Sequence, residues 1–133
     1  MKLDAGVTRV HQSEVAQVAA EAVQDGALVL TLSTGGLDNR ERVFDGLRRD
    51  LPMDPPNHSS YSWEALSDSL FGGLWALEAS HVVVVWRDAL QHESLDVGVP
   101  SEVLLTLEEV AEQLGDPQVT RGPTKILSVL VPV

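Results

Sequence analysis

Apolar residues fall into two kinds of block along the chain. The stretches 27–32, 81–86 and 125–131 are almost unbroken apolar runs, and a run of that length reads as a strand. Between them the apolar positions recur every three or four residues, which reads as helix. Residues 6–10 form a further short candidate strand. The first helix is expected over 13–23, with Val15, Val18, Ala19 and Ala22 as its stripe and Asp25-Gly26 as its stop. The 27–32 run predicts a strand covered on both faces. After the Ser33-Thr34-Gly35-Gly36 loop, a second helix over 38–51 buries Val43, Phe44, Leu47 and Leu51 and leaves Arg40, Glu41, Arg48 and Arg49 in water. Pro52 ends it, and residues 52–60, with three prolines, are expected to be irregular and exposed.

Ser62 is placed to cap a third helix whose buried face is Trp63, Leu66, Leu70, Leu74 and Leu77, with Gly72-Gly73 weakening its middle. A polar connection follows the 81–86 strand and lasts to Pro100. Ser101 can then cap a helix with Glu102 in its first turn, Val103, Leu104, Leu107, Val110, Ala111 and Leu114 as its stripe, and Gly115 at its end. Residues 116–124 are turn-rich and lead to the last strand. Helices alternating with apolar strands imply crossover connections. The expected fold is therefore a small α/β domain, of two or three layers, with a three- to four-stranded, mostly parallel sheet packed by helices.

Composition narrows the function classes. Nine basic residues against 20 acidic ones give a formal charge of −11, and the isoelectric point is near 4.5. A nucleic-acid partner is not expected, because such binding draws most of its affinity from Lys and Arg on phosphates. The absence of cysteine removes disulfides, thiolate metal sites and a cysteine nucleophile. The four histidines, His11, His58, His81 and His92, are dispersed without metal-ligand spacing, so neither metal nor cofactor is expected. No apolar segment follows the acidic start at Asp4, and no run is long enough to span a bilayer; the expectation is a cytoplasmic protein without a membrane partner.

The most informative block runs from Ser60 to Leu70. Glu64 and Asp68, four residues apart, share a helix face opposite Trp63, Leu66 and Leu70. Like charges at that spacing cost a helix about 0.2–0.5 kcal/mol. A solvated acidic face is the plain reading.

Trp63-Glu64-Ala65-Leu66, then Asp68 and Leu70, then a valine-rich strand and Trp86-Arg87-Asp88, resemble in order and wording the barstar family of intracellular ribonuclease inhibitors. The resemblance covers residues 27–133 and leaves 1–26 as an added strand and helix. It implies that Asp68 is the acidic residue inserted into a nuclease active site in place of a phosphate, and that Glu64 is a second contact one turn earlier. It places His58 and Tyr61 in the loop against the enzyme and Ser67 beside Asp68. Glu109 is a further candidate, with Glu108 or Glu112 almost as eligible. The chain departs from the family pattern at His58-Ser59-Ser60, where aromatics and Gly are usual, at Ser62 in place of Asn, and at Ser67, often a large residue.

The resemblance implies a non-enzymatic inhibitor, a monomer forming a 1:1 complex with a basic ribonuclease or ribonuclease toxin. A non-inhibitory interaction module of the same fold is the alternative. Two other chemistries are weaker. Ser33-Thr34-Gly35-Gly36 lacks the Gly-Lys-Ser/Thr ending of a phosphate loop, and Asp68 with His58 has no identifiable nucleophile or oxyanion donor beside it.

Overall fold

The computed structural model describes residues 3–36 and 38–133. Met1 and Lys2, at the head of the segment read for a leader sequence, lie outside the described residues. Four strands, β1 (Gly6–Val10), β2 (Leu28–Leu32), β3 (His81–Trp86) and β4 (Ile126–Pro132), form one all-parallel sheet in the order β1-β4-β3-β2. The helices are α1 (Val15–Gln24), α2 (Arg40–Asp50), α3 (Trp63–Trp75), α4 (Gly98–Leu114) and the single turn α5 (Pro117–Thr120), with a 3-10 turn at Ala89–Gln91.

The connection from β1 to β2 crosses the whole sheet in one direction, whereas β2 to β3 and β3 to β4 each step back by one strand. Right-handed crossovers then require α1 on one face and α2 to α4 on the other. The side chains follow. Val82, Val84 and Trp86 of β3, with Leu127, Val129 and Val131 of β4, pack against Phe44, Leu47, Leu66, Leu70, Leu107 and Val110. The alternate residues Val83, Val85 and Leu130 pack against Val18 and Ala22 of α1. The fold is the expected α/β class, resolved to three layers and four parallel strands.

Several local expectations change. The apolar run at 27–32 lies on the sheet edge, paired only with β3, so Leu28 and Thr31 are exposed instead of covered on both faces. Helix α4 starts at Gly98, ahead of the expected cap Ser101. Pro100 fits its first turn because those N–H groups have no intrahelical partner, and the Ser101 hydroxyl instead donates to the Gly98 carbonyl at 2.6 Å. Helix α3 begins at its expected cap, Ser62, which accepts the Ala65 N–H at 3.4 Å, but it ends at Trp75, short of Leu77.

Gly72 and Gly73 do not interrupt α3. A Cβ on Gly72 would stand 1.9 Å from the Asp54 carbonyl oxygen, and one on Gly73 would stand 2.2 Å from that of Pro52. The two glycines let the irregular segment cross the helix at backbone contact, where the Asp54 N–H donates to the Ser69 carbonyl at 2.9 Å. Arg48, expected in water, is largely covered: it lies over the Tyr61 ring at 4.9 Å and donates to the carbonyls of His58 and Ser60. It fastens the loop to α2.

Candidate functional site

Helices α3 and α4 lie side by side, and a groove of ≈340 Å³ opens between them, lined by Trp63, Glu64, Ser67, Asp68, Thr106 and Glu109. Helical spacing explains the set. Positions 64, 67 and 68 share one face of α3, and 106 and 109, three apart, share one face of α4. Among the described residues the carboxylates of Glu64, Asp68 and Glu109 have no ion pair and no hydrogen-bond partner. Arg40, over the Trp63 ring at 5.9 Å, lies 4.0 Å from Glu102.

The groove lining also holds polar groups with nothing to bond. Ser67 is 6% and Thr106 7% exposed, and neither hydroxyl has a partner. The indole Nε1–H of Trp63 is covered yet unpaired. Of these three groups only the indole nitrogen is a fully covered atom, and such atoms are rarely left unpaired. The lining therefore offers carboxylate and hydroxyl acceptors together with hydroxyl donors, and suits a cationic group that also carries hydrogen-bonding atoms.

Of the residues singled out in the sequence, Glu64, Ser67, Asp68 and Glu109 come together here. Of the three eligible glutamates on α4, Glu109 is the one in the groove; Glu108 accepts the Val7 N–H at 2.6 Å at the sheet edge. His58 lines an adjoining hollow of ≈390 Å³ that meets the groove at Asp68 and also contains Asn57, whose buried side-chain oxygen is unpaired. Tyr61 is not part of the groove. It turns to α2, edge-on to Phe44 with ring centroids 5.8 Å apart and covered by Arg48, because that apolar and cationic surface is what its ring can bury against. Trp63, expected only on the buried face of α3, and Thr106, not singled out, complete the groove. The signal for Thr106 is a lone hydroxyl residue within the apolar stripe of α4.

A second polar cluster joins the ends of β2 and β3. Asp88, 8% exposed, accepts the N–H groups of Thr34 and Gly35, and the Thr34 hydroxyl meets His92 Nε2 at 2.8 Å while taking the Trp86 indole N–H at 3.0 Å. His92 Nδ1 lies 3.1 Å from Asp38. Carboxylate, imidazole and hydroxyl are thus aligned, but Thr34 is 3% exposed and its hydroxyl is fully engaged, so the cluster ties the loop to the core. The same contacts explain why Ser33-Thr34-Gly35-Gly36 is not a phosphate loop: Asp88 already occupies its amides.

Among the described residues no group of three or more His, Cys, Asp or Glu is arranged to hold a metal, and no helix is long and apolar enough to cross a membrane. No known protein family, no curated protein and no solved structure matches the chain.

Proposed function

We propose that the protein is a barstar-like inhibitor that binds the cationic active site of a basic ribonuclease through the α3/α4 groove. The supporting observation is the convergence of three unpaired carboxylates, Glu64, Asp68 and Glu109, from two rigid helices on one groove whose neighbouring hydroxyls are also unpartnered. A ribonuclease cleft must be cationic to hold RNA phosphates, and carboxylates on a rigid scaffold accept the planar fork of an arginine in a defined direction. The net charge of −11 supplies long-range attraction for such a partner.

In this reading Asp68 is the principal contact and Glu64 the second, Glu109 closes the groove from α4, and His58 borders it. The protein acts by occupying the cleft, without turnover or cofactor, inside the cell that makes the enzyme or receives it. A second reading, an interaction module of the same fold without nuclease binding, is favoured by Tyr61, which is turned to α2 and withdrawn from the groove.

The test is capture of basic ribonucleases from the source organism's secreted and toxin-like proteins, using wild type and the Glu64→Ala/Asp68→Ala double variant side by side. A ribonuclease retained and inhibited by wild type alone is the expected result. Equal retention by both, or a partner without ribonuclease activity, refutes the inhibitor reading and favours the second.

A further inference from the structure

The chain has only nine Lys and Arg residues, yet three arginines, Arg42, Arg49 and Arg87, line one pocket of ≈530 Å³. Its walls are Ser33, Thr34 and Gly35 after β2, the outer face of α2, and Arg87-Asp88 after β3. It thus lies outside the carboxyl ends of two adjacent parallel strands, β2 and β3. It shares no residue with the acidic groove.

The carboxylates around this pocket are engaged. Asp88 accepts the loop amides of Thr34 and Gly35, Asp50 accepts the Ser33 N–H at 2.7 Å and pairs with Arg49 at 2.9 Å, and Asp45 lies 3.7 Å from Arg48. Two of the arginines are not so engaged. Arg42 has no side-chain partner among the described residues, and Arg87 is hydrogen-bonded through Nε to the Ser33 hydroxyl at 3.2 Å and attracted by the nearby Asp50 carboxylate, with no hydrogen bond from its terminal nitrogens. Arg49 is fixed by Asp50 and by the Ser33 carbonyl at 2.9 Å. Arg42 and Arg49 are two helical turns apart and face the same way.

We propose that this pocket binds a small phosphoryl-bearing anion of two or more negative charges, held by Arg42 and Arg87 with Arg49 beside them. Free guanidinium forks match phosphoryl oxygens in pairs, and arginine is the side chain best suited to that geometry. The size lies within the range of small-molecule sites. The lining has no aromatic ring and no large apolar side chain, so it offers nothing for a nucleobase to stack on. The ligand is therefore compact and polar, of the diphosphate or sugar-phosphate kind.

Titration calorimetry of the full chain at low ionic strength, with pyrophosphate as the probe, tests the assignment. The expected result is 1:1 binding, weakened at least tenfold by Arg42→Gln or Arg87→Gln and unchanged by Arg9→Gln or by Glu64→Ala/Asp68→Ala. Arg42 and Arg87 are both exposed, and melting of the unliganded variants verifies their fold. Orthophosphate should bind more weakly than pyrophosphate, and citrate, which carries comparable charge on carboxylates, more weakly still. No pyrophosphate binding, binding indifferent to both substitutions, or tighter binding of citrate would overturn the proposal.

Discussion

Asp88 accepts the backbone N–H of Thr34 at 3.0 Å, so one buried carboxylate locks together the ends of two neighbouring strands. The same side chain takes the Gly35 N–H at 2.8 Å. Replacing it with Ala strands the buried Thr34 amide, while the exposed Gly35 can turn its amide to water. Asp88→Ala should destabilise the protein by about 1–3 kcal/mol, the cost of leaving a buried donor unsatisfied, read as a lower urea midpoint with an unchanged slope.

Helix propensity and packing make opposite forecasts for Gly73. In an exposed helix Gly→Ala stabilises by about 1 kcal/mol. Here the added methyl meets the Pro52 carbonyl and Met53 nitrogen, atoms of the backbone that cannot swing aside. Gly73→Ala should therefore destabilise by about 1–3 kcal/mol, as overpacking does. A raised melting temperature would contradict the crossing at α3.

The groove carboxylates work against stability, and in the proposed function they are what a basic partner binds. Glu64 and Asp68 repel each other one turn apart and have no cation beside them, so Asp68→Asn should leave stability unchanged or raise it by about 0.2–0.5 kcal/mol. The same change should sharply weaken the complex with a basic ribonuclease. Wild-type association should also slow as salt is added, since screening shortens the reach of the charge to about 10 Å at 0.1 M. Stopped-flow association at several salt concentrations measures both effects.

His81 carries a pH-dependent share of stability. Burial lowers its pKa, and Nε2 lies 2.9 Å from the Ser128 hydroxyl. The unfolded chain therefore takes up the proton first, and stability falls as pH drops through the ordinary histidine range, levelling off below the folded value. The loss in melting temperature between pH 7.5 and pH 5.5 should be smaller in His81→Gln than in wild type. An identical loss in both would assign the effect to another group.

Removing residues 1–26 should be damaging. It takes away the strand paired with β4 and the helix over Val83, Val85 and Leu130. The shortened chain should show dye binding to exposed apolar surface and self-association, measured by ANS fluorescence and light scattering.

Much of this architecture was legible because period and punctuation agreed. The run His81 to Trp86 and the stripe Leu66, Leu70, Leu74 each satisfy a single reading, and Ser62 marks the start of α3 by a local bond. What was not legible depends on distant contacts. Whether residues 28–32 lie inside the sheet or at its edge is decided by which strand pairs beside them, and residues 28–32 alone carry no record of it. Arg48 looks like any exposed helix arginine until the loop carbonyls of His58 and Ser60 are brought to it.

The groove divides the same way. Glu64 and Asp68 follow from spacing within α3. Choosing Glu109 over Glu108 required the orientation of α4, which is set by its packing on α3 and by the bond from Val7 to Glu108. Tyr61 stands outside the groove because a loop aromatic settles on whatever apolar surface tertiary structure supplies, in this case Phe44.

The strand order carries a consequence for how the protein is made. β4 lies between β1 and β3, yet of the four strands it is the last to be synthesised. Until it emerges, β1 has no strand beside it, and the contact from the Ser128 hydroxyl to the Asp4 carbonyl spans 124 positions. Residues 6–10 must wait, unpaired, until residues 126–132 have been made, so the nascent domain depends on staying soluble until one late strand closes the sheet from its middle.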